Sequence, residues 1–161
     1  MGISLKQLNE NLKKVDLNRL KLEIADKSKI LAANLNREQL MEGKNNLDDK
    51  ITPDYSNFQY AVEKNQMNSK AGMFTPDLKD TGAFHNSIKS EPFLNRGNNI
   101  GLDFIATDEK APFLTRKYIG VLGVTEDNEQ RIINISTKAL ISTWLTRVGL
   151  GKTSIVSIPL R

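Results

Sequence analysis

Leu5, Leu8, Leu12 and Val15 recur at the three- and four-residue spacing of one helix face. Leu17, Leu20, Ile24, Leu31 and Leu35 keep that spacing on a shifted phase. The shift falls at Asp16 and Asn18, residue types that cap helices. The pattern predicts a short leading helix, then a long amphipathic helix from about Leu17 to Met41 that ends at Gly43. Tyr55, Phe58 and Val62, after a polar cluster with Pro53, predict another short helix. Residues 65–77 are small and polar and predict a long loop, suited to ordering against a partner.

Beyond the loop, "DTGAFHNS" predicts a helical turn through Ser87 with Asp80 as its cap. Two strand-like runs flank Arg96, Gly97, Asn98 and Asn99, which predicts a β-hairpin. In the second run Ile100, Leu102, Phe104 and Ala106 share one face. The other face carries Gly101, Asp103 and Ile105, so some cover is expected there too. "APFLTRKYIGVLGV" predicts a short helix or turn ending in glycines. Thr125 precedes the acidic pair Glu126 and Asp127, which suits a helix start. Ile133, Leu140, Trp144 and Val148, widened by Ile132 and Ile141, form the stripe of that last helix, and Gly149 closes it. Trp144 is expected in the core and His85 as a hydrogen-bonding surface or turn residue. "KTSIVSIPLR" predicts a strand-like extension. The implied division is a helical extension over residues 1–16, one α+β domain over 17–148 and an extended tail over 149–161.

The chain has 161 residues, no cysteine and one histidine, which excludes disulfides, thiolate chemistry and sites built on several imidazoles. No apolar run approaches the roughly 20 residues of a membrane-spanning helix, so no membrane partner is expected. The net charge is +4, and from Gln130 onward there are Lys and Arg but no acid. That stretch suits an acidic partner or DNA, with Arg131, Lys138, Arg147, Lys152 and Arg161 as the candidate contacts.

Three short motifs point to chemistry. Asp80-Thr81-Gly82-Ala83 spells the signature of retroviral-type aspartic proteases, but polar, proline-broken sequence precedes it where that fold needs an apolar strand. Gly151-Lys152-Thr153 ends like a phosphate-binding loop, yet Thr146 stands where the first glycine belongs. Pro76-Asp77 followed by Asp108-Glu109-Lys110 fits the permissive pattern of Mg²⁺-dependent nucleases, in which carboxylates hold the metal and Lys positions water. That nuclease, and a basic DNA-binding module, are the alternatives to a non-enzymatic reading.

Thr81-Gly82-Ala83-Phe84-His85-Asn86-Ser87-Ile88 resembles the "TG-x-[apolar]-x-x-S-[apolar]" element of the tail-completion, or neck, proteins of tailed bacteriophages and prophages. "LNREQLMEGKNNLDDKI" resembles the end of their first long helix. "FLTRKYIGVLGVTEDNEQRI" resembles a later element, with Ile119 in place of a glycine. The likeness spans about residues 31–135. It implies an α+β fold: a long N-terminal helix packed on a small antiparallel sheet, a C-terminal amphipathic helix and an extended C-terminal tail. It also implies a virion structural protein, made in the host cytoplasm and assembled as a homo-oligomeric ring at the head–tail junction. Its partners would be connector or tail proteins, with non-specific DNA contact in the channel and no cofactor or small-molecule substrate. On this reading Asp80, Thr81, Gly82, Phe84, Ser87 and Ile88 form a structural motif. Met67, Lys70, Met73 and Phe74 in the loop, and Ile155, Ile158 and Leu160 in the tail, are the candidate partner contacts.

Overall fold

The computed structural model describes residues 4–94 and 99–150. Six helices and two strands follow in the order α1 (Leu5–Lys14), α2 (Leu17–Met41), α3 (Phe58–Met67), α4 (Ala83–Ser87), β1 (Ile88–Leu94), β2 (Ile100–Ala106), α5 (Ala111–Lys117) and α6 (Glu126–Val148). The fold is α+β, as expected.

Local chemistry explains the boundaries. Ser4 and Gln7 form a reciprocal capping box at the start of α1. Asp16 accepts hydrogen bonds from the backbone N–H groups of Asn18 and Arg19, so α2 starts afresh on its new phase. Asn57 caps α3 through the Tyr60 N–H. That cap moves the helix start past Tyr55, and the face turned inward is Ala61 and Lys64. Phe58 is exposed instead. Thr125 caps α6, whose acidic first turn complements the helix dipole, and Gly149 ends it at φ +84°.

α2 is the spine. Leu20, Ile24, Leu35 and Leu40 are buried along it, interleaved with Ala25, Ser28, Ala32 and Ala33. The small residues let neighbouring backbones approach closely. β1 and β2 pair antiparallel from Ile88 opposite Ala106 to Leu94 opposite Ile100, and α2 packs on this hairpin. Ile88 and Ser90 are buried on the face turned to α2, while Lys89, Asp103 and Ile105 on the other face are exposed. The expected cover over Ile105 is missing among the described residues.

α6 runs antiparallel to α2. The Gln39 side-chain oxygen accepts from the Thr125 N–H, the Ser28 and Ser136 hydroxyls meet at 2.8 Å, and Arg147 pairs with Glu23. One core gathers Leu40, Ile51, Phe84, Ile88, Tyr118 and Val121 at the C-terminal end of α2. A smaller one joins Ala32 and Leu35 to Ile132. Trp144 is only half-buried, because the stripe of α6 is incompletely covered: Ile132 and Val148 alone are buried on it. The predicted strand in residues 151–161 lies outside the described residues.

Candidate functional site

The Asp77–Ile88 segment is held by several side-chain hydrogen bonds and one buried ion pair. Asp77 is buried and its carboxylate receives four donors. These are Lys64 Nζ at 2.8 Å, Asn68 Nδ2 at 3.0 Å, the Lys79 N–H at 3.0 Å and the Tyr55 hydroxyl at 3.4 Å. Burial pushes its pKa up, but the bonds from Lys64, Asn68 and Lys79 outweigh burial and hold it below the ordinary carboxylate value. Lys64, equally buried, also donates to the Lys79 carbonyl. One ion pair thus ties α3 to the approach to α4. Asn68 reaches further, to the Met41 carbonyl at the end of α2. All four carboxylate contacts come from this chain, so Asp77 holds backbone and side chains in place where a nuclease would need it for Mg²⁺.

Asp80 differs from expectation. It is not the helix cap: its side chain is 71% exposed and faces Lys110 at 3.8 Å. The cap position is Gly82, whose φ of +86° explains why a glycine stands there. Thr81 Oγ1 accepts the Ala83 N–H and supplies the local hydrogen bond that Asp80 does not. Aspartate fails as the cap because it stands two residues before the left-handed Gly82, and that glycine sets the entry angle of α4.

Phe84 and Ile88 are buried in the main core, and Ser87 Oγ donates to the Phe84 carbonyl at 2.8 Å. His85, expected to be a hydrogen-bonding surface or turn residue, does hydrogen-bond but is buried, with Nε2 2.7 Å from the Asp77 carbonyl. A carbonyl only accepts, so Nε2 carries the proton. Burial lowers the His85 pKa, against the Asp77 contact, and keeps the ring neutral. Arg37, on α2, donates to the His85 and Ile88 carbonyls at 2.7 and 2.6 Å and clamps the α4–β1 junction. Asn36 and Gln39 donate to the Gly123 carbonyl, and Asn36 also to that of Val121, which anchors the glycine-rich loop before α6. Sequence reading missed these three residues. Their only signal is polar side chains recurring on the buried phase of α2.

Exposed apolar side chains are spread over the fold, among them Ile30, Ile105, Phe113 and Ile141, and several stand toward the two ends of α2. At the N-terminal end α1 buries none of its residues: Leu5 is 85% exposed, and Leu12 and Leu17 are exposed as well. At the C-terminal end Phe58 is 65% and Met67 78% exposed. Phe74 stands 6.2 Å from Phe58, ring to ring, and Leu47 and Ile119 are exposed on loops joined by the Asn46 N–H to Gly120 carbonyl bond. Of the loop candidates, Met67 belongs to α3, Lys70 is exposed and Met73 is half-buried. The loop itself is shorter than expected, and Thr75 to Leu78 are buried in it.

Among the basic candidates, Arg131 and Lys138 are exposed on α6, whereas Arg147 is committed to Glu23 at 2.5 Å. Lys152, Arg161, Ile155, Ile158 and Leu160 lie outside the described residues. Comparison of the chain with protein-family models, with curated proteins and with solved structures finds no match.

Proposed function

We propose that this chain is a structural assembly protein that builds a homo-oligomeric ring, in the role its motifs suggest: the connector or tail-completion ring of a tailed bacteriophage, made in the host cytoplasm and carried in the virion. The observation that carries the reading is that exposed apolar side chains stand toward both ends of α2, Leu5 and Leu12 near one and Phe58, Met67 and Phe74 near the other. Twenty-five residues of helix hold them about 37 Å apart. A ring closes through heterologous contacts, in which one patch meets a different patch on the next copy. Unlike side chains at opposite ends of a stiff rod suit head-to-tail contacts of this kind, which close a ring when the rotation between copies closes.

The inward use of the "DTG" segment supports the same reading. Phe84, His85 and Ile88 are spent on the core, and Asp77 is saturated by its own chain. Native mass spectrometry and electron microscopy of the purified chain test the proposal. A closed ring of one fixed copy number is expected. A monomer at every concentration, both alone and beside connector or tail proteins, contradicts it.

A further inference from the structure

The Ser4–Gln7 capping box fixes the start of α1, yet none of the helix's residues is buried. Ten residues of helix are marginal in water unless one face packs on something. Leu5 and Leu12, seven positions apart, fall on one line two turns long, and both are exposed. Lys6 and Lys13 repeat that spacing one position on, so a basic row runs alongside the apolar one.

We propose that α1 of one copy docks on the Phe58–Phe74 surface of the next copy, with its lysines facing the carboxylates around those rings. The inference rests on the ring reading and names the two faces that meet in it. Reach selects another copy over the chain's own helix. Phe74 precedes Thr75, which packs on Gly43 just beyond the C-terminal end of α2. α1 joins the N-terminal end, about 37 Å away. A ten-residue helix is about 15 Å long and does not span that distance.

Charge agrees with this pairing. α1 carries Lys6, Lys13 and Lys14 against Glu10. Leaving aside Lys64, which is buried against Asp77, residues 42–74 carry Glu42, Asp48, Asp49, Asp54 and Glu63 against Lys44, Lys50 and Lys70. Lys44 and Lys50 are taken by Asp48 and Asp54, each at 2.8 Å. Asp49 and Glu63 are left without a cation among the described residues, and the three lysines of α1 enter no ion pair among them. Opposite unpaired charges steer two surfaces together and fix their register. Leu5 and Leu12 then meet the Phe58 and Phe74 rings, which stand 6.2 Å apart, as the anchors of a helix laid on an apolar seat.

Charge reversals in the full-length chain test the pairing, with ring formation followed by light scattering after a jump in protein concentration. Lys6, Lys13, Asp49 and Glu63 are all exposed, so the fold tolerates the changes. At low salt, Lys6→Glu with Lys13→Glu, or Asp49→Lys with Glu63→Lys, should each slow ring formation about tenfold or more. All four changes in one chain should restore it to within about threefold of native. At about 1 M salt, where the screening length is about 3 Å, the native rate should fall toward that of either reversal. The chain has no cysteine, so mixing a Leu12→Cys chain with a Phe58→Cys chain reports the contact directly, as a disulfide between the two variants. Rings that form at the native rate in both reversals, or four changes that restore nothing, overturn this inference and leave the ring reading standing. Disulfides that join Leu12→Cys chains to each other instead would place α1 against α1 and overturn it as well. A native chain that stays monomeric overturns the ring reading and this inference with it.

Discussion

Asp77→Asn removes one charge from a pair whose side chains are only 7% and 4% exposed, and leaves the Lys64 ammonium buried without its counter-ion. Breaking a buried pair from one side costs about 3–5 kcal/mol, since the stranded charge keeps its desolvation penalty. For a chain of this length each kcal/mol lowers Tm by roughly 2–4 °C, so a fall of about 10 °C is expected. Asp80→Asn is the matched control. It removes the same charge from an exposed partner at 3.8 Å, and an exposed pair contributes about 0–1 kcal/mol. A third variant separates charge from shape: Lys64→Met added to Asp77→Asn leaves no unpaired ion and should recover at least half of the loss. Urea unfolding followed by circular dichroism and by the single Trp144 gives all three values. Equal costs for Asp77→Asn and Asp80→Asn would refute the assignment of Asp77 as the structural carboxylate of this segment.

Three further predictions concern the same segment. Phe84→Ala opens a cavity in the main core and should cost about 3–5 kcal/mol by urea unfolding, whereas a loss under 1 kcal/mol would remove Phe84 from that core. Gly82→Ala should cost about 1–2 kcal/mol from backbone strain alone. At φ +86° the added Cβ meets only Asn86 Nδ2 at 3.8 Å, so a neutral effect would contradict the left-handed cap. His85 binds a proton less readily folded than unfolded, so protonation favours the unfolded chain. Stability should therefore decline as pH falls below the unfolded value of about 6.5. Urea midpoints across pH 7.5 to 5 should show that slope in the native chain and lose it in His85→Gln. Asp77, with its depressed pKa, keeps its contribution above about pH 4 and loses it only as pH falls further, which separates the two groups.

Periodicity carried most of the architecture. The phase break at Asp16, the 3.6-residue stripe of α2, the alternation in β2 and the caps at Thr125 and Gly149 are local rules, legible without tertiary knowledge. The misreadings arise where long-range partners decide. Lys64 looks like a solvated helix residue until Asp77, thirteen positions later, closes on it. His85 is drawn inward by the Asp77 carbonyl and by Arg37 above the junction, neither of which any spacing rule reports. Asp80 resembles a cap because the residue type is right, but the backbone at Gly82 turns the wrong way for it. Phe58 resembles a core residue by spacing, yet Ala61 and Lys64 take the inner face because Asp77 waits there.

Mixing two surface variants tests head-to-tail assembly at its root. Leu5→Asp with Leu12→Asp disables the α1 end, and Phe58→Asp with Phe74→Asp disables the α3 end. All four side chains are exposed, so each double variant should fold as the native chain does and fail to form rings. Mixed together, the two variants retain one intact pairing between them, and native mass spectrometry should find a one-to-one heterodimer that grows no further. Rings persisting in either variant alone, or a mixture holding no heterodimer, would contradict assembly through the two ends of α2.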